Sequence, residues 1–262
     1  MDLVFFDANC QIGRRPAGGC RLAATAADLI RIMDDYGLER ALVWHDAQLE
    51  GAPDLGNRMI VEQIRSNGDD VSRIGSPRLL GSWTILPPQT REIPAPDAFF
   101  KQMKQYGIVA LRAFPLKHRY LLNRVTFGSF LDEISERRIP LFLSLAQGTG
   151  DWPVIYDLLK EYPDLTCIIA DTGVWGTDRQ FRPLLEAYPH VYLETSMLAM
   201  NDQVIEDLVE TYGPDRLLFG SGFPVREPLS AMLQLRHAAV DEQDRQMIAS
   251  GNLTRLIGEV VL

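Results

Sequence analysis

Two ionisable residues stand where short apolar runs end, and their types point to acid–base chemistry on an anion. Asp171 closes the apolar run 165–170, and Arg112 closes the run that begins at Ile108. A carboxylate in a partly closed site can have its proton affinity raised enough to serve as a general acid or base. A guanidinium group recognises carboxylates through two parallel hydrogen bonds. Glu194, Ser196 and Ser221 end further apolar runs and read as structural or polar contacts. Charge is unevenly spread: no Asp or Glu occurs between Asp7 and Asp28, or between Asp97 and Asp132. Those stretches carry Arg14, Arg15, Arg21, Arg112, Lys117, His118, Arg119 and Arg124 in a chain of net charge −9. Most of them read as solvated loop charges. Arg112 is the one expected to bind a small anion or carboxylate, with Arg14 or Arg15 assisting.

Other chemistries find less support. Of the four histidines, His45 ends an apolar run and His118 follows Arg112, whereas His190 and His237 read as surface residues. A metal site from His45, His118 and Asp171 can be drawn, but no spacing demands it. No Gly-x-Ser-x-Gly turn occurs, so a serine nucleophile has no basis. An acidic chain, with an isoelectric point near 5.0, is a poor partner for nucleic acid or an anionic membrane surface. Cys10, Cys20 and Cys167 are too few, and odd in number, for a disulfide framework. With no signal-like opening and no apolar run of spanning length, a cytoplasmic location is expected.

The elements that must position these residues alternate from end to end. Strands are expected at 3–6, 41–44, 79–85, 108–112, 140–145, 165–170, 191–193 and 217–219. Between and after them lie helical patterns: one opened by Thr25 and Asp28 and stopped by Gly37, one around 59–64, then 96–106, 127–137, 152–161 and 178–188. Asn201 is expected to cap a helix through Tyr212, and 229–240 follows the last strand. Segments 242–249 and 252–257 remain over. Eight strand–helix pairs in 262 residues is the size of an α/β fold of the (β/α)8 TIM-barrel type, as one domain over residues 1–262. A doubly wound sheet is the alternative, but its Gly-x-Gly-x-x-Gly turn is absent. In a barrel, Asp171 and Arg112 end their strands at the mouth, where barrel enzymes place their chemistry.

Longer motifs add a resemblance. Asp215-Arg216-Leu217-Leu218-Phe219-Gly220-Ser221-Gly222-Phe223-Pro224, Gly251-Asn252-Leu253-Thr254-Arg255-Leu256, and Ala170-Asp171-Thr172-Gly173 after Tyr162-Pro163-Asp164-Leu165 resemble the amidohydrolase superfamily. The likeness is to the branch that includes aminocarboxymuconate-semialdehyde decarboxylase, and it covers almost the whole chain. That family holds a metal at strand ends, and the resemblance carries its ligand positions onto Asn9, Gln11, Ser144, Asp171 and Gly222. None keeps the usual histidine or, at the last position, aspartate. Amide oxygens are weak donors for a transition metal, so no metal and no cofactor is expected.

Strand alternation then puts Asn9 and Gln11 at the mouth and turns Cys10 to the helix layer as a buried thiol, with Cys20 the first cysteine to react. The expected function is a hydrolase-like one on a small carboxylate-bearing molecule. Asp171 would serve as acid/base, and Arg112, Asn9, Gln11, His118, Ser144 and Glu194 would contact the substrate. The alternative is a non-catalytic barrel kept for ligand binding or for assembly, with a homodimer as the assembly left open.

Overall fold

A computed structural model describes residues 3–13, 23–67, 75–198 and 203–262. Eight parallel strands lie in chain order: β1 (Phe5–Ile12), β2 (Leu38–His45), β3 (Leu79–Thr84), β4 (Ile108–Arg112), β5 (Leu141–Ser144), β6 (Cys167–Ala170), β7 (Val191–Glu194) and β8 (Leu217–Leu218). The last strand returns to the first, since Ala8 N–H donates to Phe219 O at 2.9 Å and Gln11 N–H to Phe223 O at 2.8 Å. Eight principal helices cover the strands: α1 (Ala26–Tyr36), α2 (Pro53–Arg65), α3 (Pro96–Tyr106), α4 (Ser129–Glu136), α5 (Trp152–Glu161), α6 (Asp178–Ala187), α7 (Val204–Tyr212) and α8 (Pro228–His237). This is the (β/α)8 barrel expected. Among the described residues no helix is long and apolar enough to cross a membrane.

Local chemistry explains the helix ends. Thr25 and Asp28 form a reciprocal capping box on α1, and the chain leaves that helix through Gly37 in the left-handed region. Pro96 occupies the first turn of α3, where its missing N–H costs nothing, and the Asp151 carboxylate accepts from Trp152 N–H at the start of α5. The single helix expected over 127–137 is in fact two, Arg124–Phe127 and α4, broken at Gly128. The expected cap at Asn201, together with Arg14, Arg15, Arg21 and Cys20, lies outside the described residues.

Two layers of apolar side chains form the core. Phe6, Ala8, Leu42, Ala110, Phe142, Ile168, Ala170, Tyr192 and Leu218 fill the barrel, while Phe5, Cys10 and Ile12 pack outward with the helices. The first strand is longer than the expected 3–6 and carries the chemistry-bearing residues within it. Its register against β2 slips twice, first between Phe5 and Phe6 and then from Asp7 opposite Ala41 to Cys10 opposite Val43. Three residues thus span the length of two, which is a β-bulge. Side-chain parity reverses there: Phe6 and Ala8 point inward before it, Asn9 after it. Cys10 consequently faces the helices as a buried free thiol.

Candidate functional site

The bulge is held by Asp7. Its Oδ1 accepts from Asn9 N–H at 2.9 Å and from Ser221 N–H at 3.0 Å, tying β1 to the loop after β8. Asp7 is fully buried, and burial pushes its carboxyl above the usual range. It therefore serves the backbone at the barrel mouth.

Asn9 is the centre of a polar cluster. Its amide nitrogen donates to Asp171 Oδ1 at 3.2 Å and to Glu194 Oε2 at 3.1 Å. Its amide oxygen accepts from Arg112 Nη2 at 3.1 Å. Ser144, at the end of β5, donates its hydroxyl to Asp171 Oδ2 at 2.7 Å. Glu194 accepts as well from Asp171 N–H and from the backbone and hydroxyl of Ser196. There is no room for a side chain opposite it, because a Cβ on Gly220 would collide with the Glu194 carboxylate. Asp171 has φ of 56°, a left-handed conformation that Asp tolerates better than most residues and that clusters at functional sites.

Arg112 is the cluster's buried cation, only 1 % exposed. Its Nε donates to Ser82 Oγ at 3.3 Å. Its guanidinium carbon lies 5.0 Å from the Trp44 ring centre and 4.7 Å from that of Phe142, within cation–π range of both. Burial lowers its pKa to about 10 against the opposing charges of Asp171 and Glu194, so it stays protonated at neutral pH. Burial, reinforced by the charge of Asp171, pushes Glu194 up to about 7 even though four hydrogen bonds favour its ionised form.

Among the buried polar atoms that find no partner are Arg112 Nη1, Trp44 Nε1, and both Nε2 and Oε1 of Gln11, on the β1–β2–β4 side. Gln11 and Trp44 are paired across β1 and β2, and Arg112 lies over Trp44. Leaving one such group unsatisfied costs roughly 1–3 kcal/mol. A small polar ligand beside Arg112 and Trp44 would supply such partners.

One expected site residue stands elsewhere. His118 is not brought to this cluster. Its Nε2 lies 3.2 Å from Leu49 O, in a separate groove of about 330 Å³ with Lys117, Arg119 and Glu50. His45 serves its own turn, its Nδ1 accepting from Ala47 N–H at 3.1 Å. Asp171 has an arginine partner, but it is Arg226, whose Nη1 lies 3.2 Å from Oδ1. Sequence reasoning passed over Arg226, Trp44 and Ser82. A cation four residues beyond Gly222 was the available signal for the first.

The side chains at the five family ligand positions do not fit a transition-metal ion. Asn9 spends its one acceptor oxygen on Arg112, Gln11 offers only an amide, and Ser144 donates its hydroxyl proton to Asp171. Asp171 is covered by Arg226, and Gly222 offers no atom. Such ions take imidazole, thiolate or carboxylate ligands. Among the described residues no three His, Cys, Asp or Glu side chains stand where they could hold one.

Comparison with known proteins gives the chain its relatives. A family model described as amidohydrolase matches residues 31–258. A dihydroxybenzoic acid decarboxylase from a Polaromonas species, solved with manganese and an inhibitor, superposes with a TM-score of 0.76 at 16 % identity, covering 98 % of this chain and 97 % of that one. An uncharacterised TIM-barrel protein from Bordetella bronchiseptica gives 0.71 at 15 %, with 98 % and 99 % covered. A probable 2-pyrone-4,6-dicarboxylic acid hydrolase from Acinetobacter baumannii, with citric acid bound, gives 0.69 at 15 %, with 97 % and 99 % covered. At these identities the structures share the fold. No curated protein sequence matches the chain.

Proposed function

Because the chain belongs to the amidohydrolase family, we propose that it takes a small carboxylate-bearing molecule into the barrel mouth and acts on it as a hydrolase without a transition metal. The observation that carries this reading is the convergence of unpaired donors, Arg112 Nη1, Trp44 Nε1 and Gln11 Nε2, beside two buried carboxylates. A carboxylate presents two oxygens and several lone pairs, which suits three donors, one of them charged. Two of the structural neighbours are named for acting on carboxylic acids, which supports the same ligand class.

In this reading Arg112 anchors the carboxylate, with Trp44 and Gln11 fixing its orientation. Asn9 keeps Asp171 and Glu194 apart by donating to both. Asp171 exchanges a proton with the substrate, and Ser144 orients its second oxygen. Glu194, pushed up to about 7, holds or releases a proton near neutrality, the range general acid–base chemistry needs.

One observation favours a second reading, a barrel that binds without turnover. Both oxygens of Asp171 already have partners, Asn9 and Arg226 on one and Ser144 on the other. That is the arrangement of a structural carboxylate.

A thermal-shift screen of neutral and anionic small molecules tests the proposal. Carboxylates should stabilise the protein, and Trp44→Phe, which keeps the ring and removes only the N–H, should weaken that response. Arg112→Met should abolish most of it, since a charge-assisted contact contributes roughly 1.5–3 kcal/mol, or about ten- to a hundredfold in affinity. No response to any carboxylate would refute the binding reading. Binding with no product formed would favour the second.

A further inference from the structure

We propose that Gly222 and Arg226 form one device, in which the space left by the missing side chain at 222 seats a guanidinium group that holds Asp171 and Ser196 as a fixed cation. It takes the place where the family resemblance puts a metal-binding carboxylate. Gly222 has φ of 68°, and a Cβ built on it would stand 2.6 Å from Arg226 Nη1 and 3.2 Å from Ser196 Oγ. With Arg226 seated, only glycine fits. The seating is local: Val225 N–H and Arg226 N–H both donate to Gly222 O, at 3.0 and 3.2 Å. This turn folds the arginine back over the glycine. Nη1 then reaches Asp171 Oδ1 at 3.2 Å and Ser196 Oγ at 3.4 Å.

Charge explains why a cation belongs there. Asp7, Asp171 and Glu194 are buried in the mouth, and among the described residues Arg112 is the fully buried cation beside them. A buried carboxylate left unpaired is strongly destabilising. The Arg226 side chain is 23 % exposed and that of Asp171 only 1 %, so Arg226 covers the carboxylate from the solvent side. A side chain in that position can be replaced by a soluble cation of the same shape once it is removed. Arg226 is thus a positioning residue for Asp171.

The test uses the unliganded protein, so its outcome is independent of the carboxylate-binding reading. Arg226→Ala should lower the thermal midpoint by several degrees. Methylguanidinium chloride at low millimolar concentration should restore most of the loss and leave the wild type unchanged, whereas ethylammonium should restore little. Gly176→Ala supplies the backbone control, because Gly176 has φ of 79° with nothing within 4 Å of its built Cβ. Gly222→Ala should cost more than Gly176→Ala, and most of that excess should disappear in the Arg226→Ala background, leaving only the tight contact with Ser196. If Arg226→Ala does not fold, Arg226→Gln carries the same comparisons. Absence of rescue, or an excess undiminished without Arg226, overturns the proposal.

Discussion

Glu194 makes the sharpest prediction at the scale of single residues. Its folded pKa is raised from 4.5 to about 7 by burial and by Asp171. The unfolded chain therefore releases this proton at lower pH than the folded chain does. Stability contributed by the protonated form is present below pH 4.5 and declines as pH rises towards 7, by on the order of 3 kcal/mol in the limit. Glu194→Gln removes this dependence. Denaturant unfolding at pH 5 and pH 8 should show a wild type that loses stability over that interval relative to the variant, whatever the variant's overall cost. Equal pH slopes would show that Glu194 titrates normally. Asp171→Asn should act through the same coupling. With its charge gone, Glu194 should titrate at lower pH, which carboxyl-resolved NMR can follow.

At the scale of elements, the first strand decides what the mouth contains. Simple alternation along 5–12 puts Phe6 and Ala8 inward and then carries Asn9 and Gln11 outward. The bulge between Asp7 and Cys10 reverses that parity. Without it the amides would face the helices and the cysteine would face the barrel. The thiol thus reports on the strand. Cys10 and Cys167 are buried, and burial pushes both thiols up, Cys167 to about 12. Both should resist a bulky thiol reagent in the native state and react only as fast as the protein unfolds. Rapid native-state modification of Cys10 would mean that the parity shift is wrong.

The same strand shows how far the sequence could be read. The apolar run 3–6 marked a strand, but its length lay in the polar residues beyond, which no hydrophobic pattern reveals. The outward placement of Cys10 was legible, because it follows from the neighbours on either side once the inward pair is known. The (β/α)8 order was legible too, since helix ends such as Thr25, Pro96 and Gly37 announce themselves locally. Arg226 was not. Its role depends on a turn that folds it over Gly222 and on a strand two elements away, and neither is a local property. His118 erred in the opposite direction: a basic stretch suggested a shared site, yet its short helix places it beside Leu49.

At the scale of the molecule, the family's barrel persists while its mouth carries cationic side chains among buried carboxylates. Arg112 from β4 and Arg226 from the loop after β8 flank Asn9, Asp171 and Glu194. In this account a small carboxylate binds beside Arg112 and no transition metal is needed. The most direct measurement is a calorimetric titration of chelator-dialysed protein with small carboxylates, with elemental analysis of the same sample. Saturable binding of a carboxylate is expected, weakened about ten- to a hundredfold by Arg112→Met, in protein with no stoichiometric zinc, manganese or iron. One equivalent of metal that survives dialysis, or binding that appears only when metal is restored, would contradict it.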